Sequence, residues 1–393
     1  MVISLYVDDL IITGSNEDMI KEFKEKLKQT FEMTDLGRLK YYLGYEITYT
    51  GEGVFLSQRK YAQQQLKKFG MKNCKSVATP LLPQTKCVEE GKELTNPKLY
   101  RSMVGGLLYL AATRPDLAFA ASYLSKSLSQ PREQHLQEAK RVLRYIQGTI
   151  DYGLNFKKTS QVELVGYSDS DWAGCKEDMR STTWMCFTMG SAMFTWQTQK
   201  QDTIAQSTAE AEYMALSSAT NHSVWLKRLL GELRIDTSKA VPIYCDNTSA
   251  IAIGRNLVQH KRTKHIQIRY HVVREAEREG AITLRYCSRE EQTADILTNL
   301  LETRRFEELR LKLGVTQNPN GRDKSKRKLT EASPGEANMH KKEENKFTEI
   351  NGKEKKSENE IKEDQSVKST EKGKQVMREK ISVPLSYGAS ATK

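Results

Sequence analysis

Four acidic residues, Asp169, Glu212, Asp246 and Asp295, each lie within or at the end of an otherwise apolar or small-residue segment. Carboxylates gathered in a small volume repel one another, and only cations or raised pKa values make the gathering tolerable. Magnesium suits such a cluster: it prefers carboxylate and water oxygens, takes few protein ligands and leaves positions for phosphate oxygens. Two such ions, or two manganese ions, can activate a water and stabilise the leaving oxygen in phosphodiester cleavage. The plainer alternative is four helix caps and surface acids, since 50 of the 393 residues are Asp or Glu.

Convergence needs four elements to present these acids. Residues 162–171 (VELVGYSDSD) begin as an alternating β-prone run, which puts Tyr167, Asp169 and Asp171 on one face and Ser168 and Ser170 on the other. Asp171 is therefore a second candidate on the same strand. Ser207-Thr208-Ala209-Glu210 has the form of a capping box, and an apolar rhythm follows through Met214, Leu216, Val224, Trp225, Leu229 and Leu233. Glu212 then falls in the first or second turn of a long helix. Residues 242–246 (PIYCD) read as a short buried strand ending in an acid, and Asn247-Thr248-Ser249 caps the helix after it. Asp246 would sit at a strand's carboxyl end, where open α/β sheets place ligands. Residues 281–286 alternate as a strand, and 290–301 read as a helix with Asp295 in its middle.

The segments GYSDSDWAG, STAEAEY, CDNTSAI, RTKHIQIRYHVVRE and QTADILT stand in an order that closely resembles the ribonuclease H domain of copia-type retrotransposon Pol polyproteins, over residues 166–315. The resemblance implies that Asp169, Glu212, Asp246 and Asp295 are the catalytic, metal-holding acids, with Asp169 preferred over Asp171. It further implies two Mg2+ ions, or Mn2+ in their place, an RNA/DNA hybrid as substrate, and hydrolysis leaving 3′-hydroxyl and 5′-phosphate ends. Upstream, Tyr6-Val7-Asp8-Asp9 within LYVDDLIITG resembles the catalytic hairpin of reverse transcriptases, and FEMTDLGRLKYYLGYEI, ATPL, YRSMVGGLLYLAATRPDLAFAASYLS and RVLRYIQGT resemble the palm, thumb and connection of copia-type polymerases. Together the likeness covers residues 2–315.

The resemblance also implies a truncated polymerase half, lacking the earlier palm aspartate and the fingers. Asp8 and Asp9 are then a vestigial metal site, and the chain alone is expected to synthesise no DNA, the missing part belonging to a longer Pol polyprotein. Departures from the copia-type pattern are His222 for Glu, Asn299 for Lys and Gln267 for Asp; residues 286–290 also lack the His that many ribonucleases H carry before the last acid. None of these changes an acid of the set. Two other readings stand beside a nuclease: a catalytically inert nucleic-acid-binding relic, and a host-captured interaction protein acting through its tail.

Charge agrees with a nucleic-acid partner. Lys and Arg number 62 against 50 Asp and Glu, a net +12, which favours phosphate backbones through counterion release. A local basic run, 260–265 followed by Arg269, His271 and Arg274, makes Lys261, Arg262, Lys264 and Arg269 the candidate nucleic-acid contacts; a solvated helix face is the alternative. A zinc site from His260, His265 and His271 lacks a supporting cysteine pair. The six cysteines are scattered and read as reduced structural thiols. No run reaches the roughly 18 apolar residues of a membrane span, and the chain is expected to be intracellular, cytoplasmic or nuclear, with no membrane partner.

Three regions follow. Residues 1–158 read as the α+β palm and thumb remnant: a hairpin, a helix over 18–30, a hairpin over 40–57, and helices over 61–69, 100–127 and 135–148, with Pro80, Pro83 and Pro97 breaking the middle. Residues 159–315 give three strands, helix, strand, helices, strand and helix, which predicts an α/β, ribonuclease H-like mixed sheet with flanking helices. Residues 316–393 are rich in Lys, Glu, Ser, Asn and Thr and are expected to be a disordered tail.

Overall fold

The computed structural model describes residues 1–83, 91–159, 163–174, 178–255, 267–321 and 375–379. They divide into two compact units that part between Gly37 and Arg38.

In the first unit, strands β1 (Val2–Tyr6) and β2 (Asp9–Thr13) flank a turn whose Val7 has φ 50°, a left-handed conformation that reverses the chain within two residues. Helix α1 (Glu17–Thr30) starts where the Asn16 side chain accepts the Met19 N–H at 3.0 Å. It buries Ile20, with Phe23 and Leu27 beside it, against Leu10 and Ile12 of β2. Strand β3 (Met33–Arg38) completes the order β1-β2-β14-β3, in which β14 (Gln375–Glu379) runs parallel to β2 and sets Val376 opposite Asp9. That strand comes from within the segment expected to be a disordered tail.

The second unit, Arg38–Pro319, holds two five-stranded sheets. The first is antiparallel, in the order β13-β7-β6-β5-β4, and is built from β4 (Tyr41–Tyr42), β5 (Tyr45–Tyr49), β6 (Gly53–Ser57), β7 (Tyr152–Lys157) and β13 (Val315–Gln317). Helices α2 (Arg59–Lys68), α3 (Pro97–Leu110), α4 (Ala118–Ser125) and α5 (Glu133–Gly148) belong to the same segment. Pro97 does not break a helix here; it opens α3 in the first turn, where a missing N–H costs nothing. The single helix expected over 100–127 is interrupted instead by Pro115, which begins a short 3₁₀ turn, Pro115–Leu117, ahead of α4. Because β13 pairs with β7, with Val315 opposite Leu154, the boundary set near residue 158 falls inside this unit.

The second sheet is mixed. Strands β8 (Leu164–Asp171), β9 (Thr182–Met189), β10 (Met193–Lys200), β11 (Val241–Cys245) and β12 (Ile282–Tyr286) take the order β10-β9-β8-β11-β12, antiparallel through β8 and parallel from β8 to β12. This is the expected α/β mixed sheet with flanking helices, and the long helix α6 (Thr208–Glu232) packs on it through Tyr213, Met214, Leu216, Leu226 and Leu230. Trp225, Leu229 and Leu233, read from the sequence as part of the apolar stripe, are exposed. The Ser207 hydroxyl caps α6 by accepting the Glu210 N–H, and the Glu210 carboxylate reaches back to the Gln206 N–H at 2.8 Å. Helices α7 (Thr248–Arg255) and α8 (Gln267–Arg278) flank the far edge, followed by α9 (Asp295–Thr298) and α10 (Thr303–Lys312).

One expected helix is much shorter than the sequence suggests. Residues 290–294 form turns, so Asp295 opens α9 and does not lie in mid-helix, and Asn299 ends α9 in extended geometry. The polar residues of this stretch are engaged outside helix: Gln292 is fully buried and donates its amide to the Ser168 carbonyl at 3.0 Å. That contact ties the last acid's segment to the strand of the first. Among the described residues no helix is long and apolar enough to cross a membrane.

Candidate active site

The parallel strands β8 and β11 end side by side, with Tyr167 in register with Tyr244, and so bring Asp169 and Asp246 toward the same carboxyl edge. Glu212 comes from the second turn of α6, which crosses β8, and Asp295 from the start of α9. Asp169 and Glu212 are only 5% and 6% exposed, whereas Asp246 and Asp295 are half-buried. All four carboxyls titrate above their ordinary range because burial disfavours charge, and in Asp169, Glu212 and Asp295 neighbouring acids add to it. Burial, with the charges of Asp246 and Asp295 added, lifts Asp169 to about 7. Burial and the charges of Asp169 and Asp246 raise Glu212 well above the usual range. Asp246 is raised by burial and Asp295 by burial and Asp246, with Arg289 pulling both back.

Asp169, Glu212 and Asp295 are each aimed by a specific partner. Thr298 donates its hydroxyl to Asp169 Oδ2 at 2.5 Å, and the Ser170 N–H lies 2.9 Å from Asp169 Oδ1. Ser170 also donates both its N–H and its hydroxyl to Glu212 Oε1, at 3.0 and 2.9 Å. Arg305 binds Asp295 Oδ2 at 3.2 Å while donating to the Glu290 and Arg289 carbonyls, so it pins the preceding loop and the acid together. Asn299 donates to the Thr298 hydroxyl at 2.8 Å and joins the Asp169 chain. Asp171, the other acid of β8, is engaged locally, where its Oδ1 accepts the Thr182 N–H at the start of β9.

Sequence reasoning placed the four acids and missed their supports. Thr298, Ser170 and Arg305 carry no sequence signal as partners, because the pairing depends on the folded neighbourhood. It also passed over Cys245: one donor atom each from Glu212, Cys245 and Asp246 lie within 4.8 Å of one another. The adjacency of Cys245 to Asp246 at the strand end was the available clue. Lys261, Arg262 and Lys264 lie outside the described residues, and of Arg269 the structure describes only its backbone place in α8. Asp8 is exposed in the first unit's turn, and Asp9 is half-buried at the start of β2. His222 sits against Phe187 and Trp225, its ring 3.3 Å from the Thr195 hydroxyl, away from any acid of the set.

Residues 1–83 match the family described as reverse transcriptase (RNA-dependent DNA polymerase). The chain is 39% identical over 316 residues to the retrovirus-related Pol polyprotein from transposon RE1 of Arabidopsis thaliana, covering 80% of this chain and 22% of that protein. It is 37% identical over 329 residues to the corresponding polyprotein from transposon TNT 1-94 of Nicotiana tabacum, covering 81% and 24%. The chain thus spans about a quarter or less of the length of these polyproteins. A shorter relative, the putative transposon Ty5-1 protein of Saccharomyces cerevisiae, is 32% identical over 223 residues, 55% of this chain and 71% of that protein. Among solved structures, a foamy viral protease-reverse transcriptase in complex with RNA/DNA hybrid aligns with a TM-score of 0.39 at 14% identity, covering 76% of this chain and 37% of that one.

Proposed function

The chain belongs to the copia-type retrotransposon Pol family, and from that premise we propose that its mixed-sheet domain hydrolyses the RNA strand of RNA/DNA hybrids with the help of divalent metal. The observation that carries this reading is the convergence of four carboxylates from four separate elements, each pushed toward neutrality by burial, and Asp169, Glu212 and Asp295 by neighbouring acids as well. Such a set is costly as bare anions and matches a hard divalent cation.

Asp169, Glu212, Asp246 and Asp295 would hold two Mg2+ ions, with Mn2+ as a substitute. When bound, such ions make a water more acidic and neutralise charge on the scissile phosphate. The chain's own contribution is geometric. Ser170 fixes Glu212 through two donors, Thr298 fixes Asp169, and Arg305 fixes Asp295. Arg289 lies close enough to Asp246 and Asp295 to lower both carboxyls, and so adds positive charge where a phosphate would approach. Preference for RNA follows from contacts to the 2′-hydroxyl. Lys261, Arg262, Lys264 and Arg269 are proposed to hold the nucleic-acid backbone.

The test is a labelled RNA/DNA hybrid incubated with purified chain and magnesium, beside duplex DNA of the same sequence. Endonucleolytic loss of the RNA strand alone supports the proposal; an intact hybrid, or equal cutting of both substrates, would sink it.

A further inference from the structure

The acid cluster contains a donor that oxygen-seeking cations do not need. Cys245, the last residue of β11, is fully buried, and its Sγ lies 3.9 Å from Glu212 Oε2. The Asn247 N–H points at the same sulfur from 3.4 Å and holds it in place as the chain turns into α7. One donor atom from each of Glu212, Cys245 and Asp246 falls within 4.8 Å of the other two. Two carboxylates and a sulfur form a mixed oxygen and sulfur set, a donor set that zinc accepts. On a common tetrahedral zinc, at bond lengths of about 2.0–2.3 Å, two donors stand roughly 3.3–3.8 Å apart. The sulfur and the Glu212 oxygen, 3.9 Å apart, stand close to that spacing, and the three donors, all within 4.8 Å of one another, draw together by up to roughly 1.5 Å on binding.

We propose that Glu212, Cys245 and Asp246 form a capture site for thiophilic divalent cations, zinc above all, that overlaps the magnesium positions and disarms the acid cluster. The inference rests on reading the acids as a cation site and adds a soft ligand to it. Magnesium gains nothing from a thiol, whereas zinc gains a thiolate bond as the thiol proton passes to solvent. Zinc therefore binds in preference to magnesium and occupies two of the four acids on which hydrolysis depends. Neither Cys186 nor Cys287 has such a set around it: among the described residues, Glu212, Cys245 and Asp246 form the cluster of three donors with this spacing.

The test uses the full chain with Cd2+ as a spectroscopic stand-in for zinc. Titration is expected to produce one equivalent of the ultraviolet thiolate-to-cadmium charge-transfer band, displaced by Zn2+ and untouched by Mg2+. Cys245→Ser should remove the band, and Glu212→Gln, which leaves the thiol in place, should weaken cadmium binding by about 10–100-fold, the scale seen when one supporting group of a metal site is lost. Circular dichroism of both variants separates loss of the site from loss of the fold. A band that persists in Cys245→Ser, or no band in the parent chain, would overturn the inference. A Cys245-dependent band in a protein that leaves hybrid uncut supports capture while counting against the nuclease, and magnesium-dependent cutting without the band does the reverse.

Discussion

Thr298 and Asp169 stand 129 residues apart in the chain and 2.5 Å apart in space, hydroxyl to carboxylate. The contact ties α9 to the centre of β8, and it is the main force holding the Asp169 carboxyl down against burial and two acidic neighbours.

Replacing Thr298 with Val keeps the volume and removes that donor. Asp169 should then titrate above its present position near 7. The acid limb of the pH profile for hybrid cleavage should move to higher pH, and the rate at neutral pH should fall by roughly 10–100-fold, as for other groups that orient a metal ligand. An unmoved acid limb in a folded variant would show that Thr298 does not set the protonation of Asp169.

Without metal, the acid cluster makes stability depend on pH in a defined direction. Asp169 titrates near 7 in the fold against 3.8 ordinarily, so the folded chain holds that proton more tightly than the unfolded chain. Its contribution is fully present below about 4 and is lost as pH rises through about 7, on the order of a few kcal/mol. Denaturant melts in EDTA should show that decline, and saturating Mg2+ should flatten it. Asp169→Asn should raise metal-free stability at pH 8; a drop there would contradict the raised pKa.

Arg305 bridges Asp295 and the carbonyls of Glu290 and Arg289. Arg305→Lys cannot reproduce that fork of donors. It should cost about 1–3 kcal/mol, the penalty for leaving such groups unmatched, and also weaken magnesium binding measured by calorimetry. Normal affinity with lowered stability would limit Arg305 to a structural part.

A second buried polar group joins the helical segment to the end of the mixed-sheet segment. Arg114 pairs with Asp116 through two bonds, Tyr145 donates to Asp116 at 2.6 Å, and Arg310 of α10 donates to the Tyr145 hydroxyl at 3.1 Å. Burial opposes the charge on Asp116, yet Arg114 beside it holds the carboxyl below its ordinary range. Arg114→Met should destabilise the second unit by about 3–5 kcal/mol, because it strands a buried carboxylate. Together with the pairing of β7 and β13, this predicts that a fragment starting at residue 159 melts far below one starting at residue 38. Equal melting temperatures would refute that dependence.

The sequence was most legible where local chemistry decides structure. Strand β8 follows its alternating run, β9 and β10 fall where strands were expected, and the Ser207 cap fixes the start of α6 within one residue. Asp246 directly follows β11, as its PIYCD pattern suggested. Legibility failed where distant contacts overrule local preference. The run around Asp295 looks helical by composition, but Gln292 and Thr298 are claimed by β8 and leave only Asp295–Thr298 as helix. Ser170 is 42 residues from Glu212, so its support could not be read from spacing. Asn299, a departure from the copia-type pattern that changes no acid of the set, donates to the Thr298 hydroxyl in the fold, a contact its position in the sequence does not announce.

The most direct measurement is hybrid cleavage by Asp246→Asn beside the parent chain, with magnesium and a denaturation midpoint taken on both. Asp246 is half-buried and raises Asp169 and Glu212. Its replacement should abolish cleavage by more than about 100-fold, beyond the loss of an outer supporting group, while leaving the metal-free fold as stable or more so. Cleavage by the variant at the parent's rate, or by neither protein, would contradict the assignment of the four carboxylates as a working nuclease site.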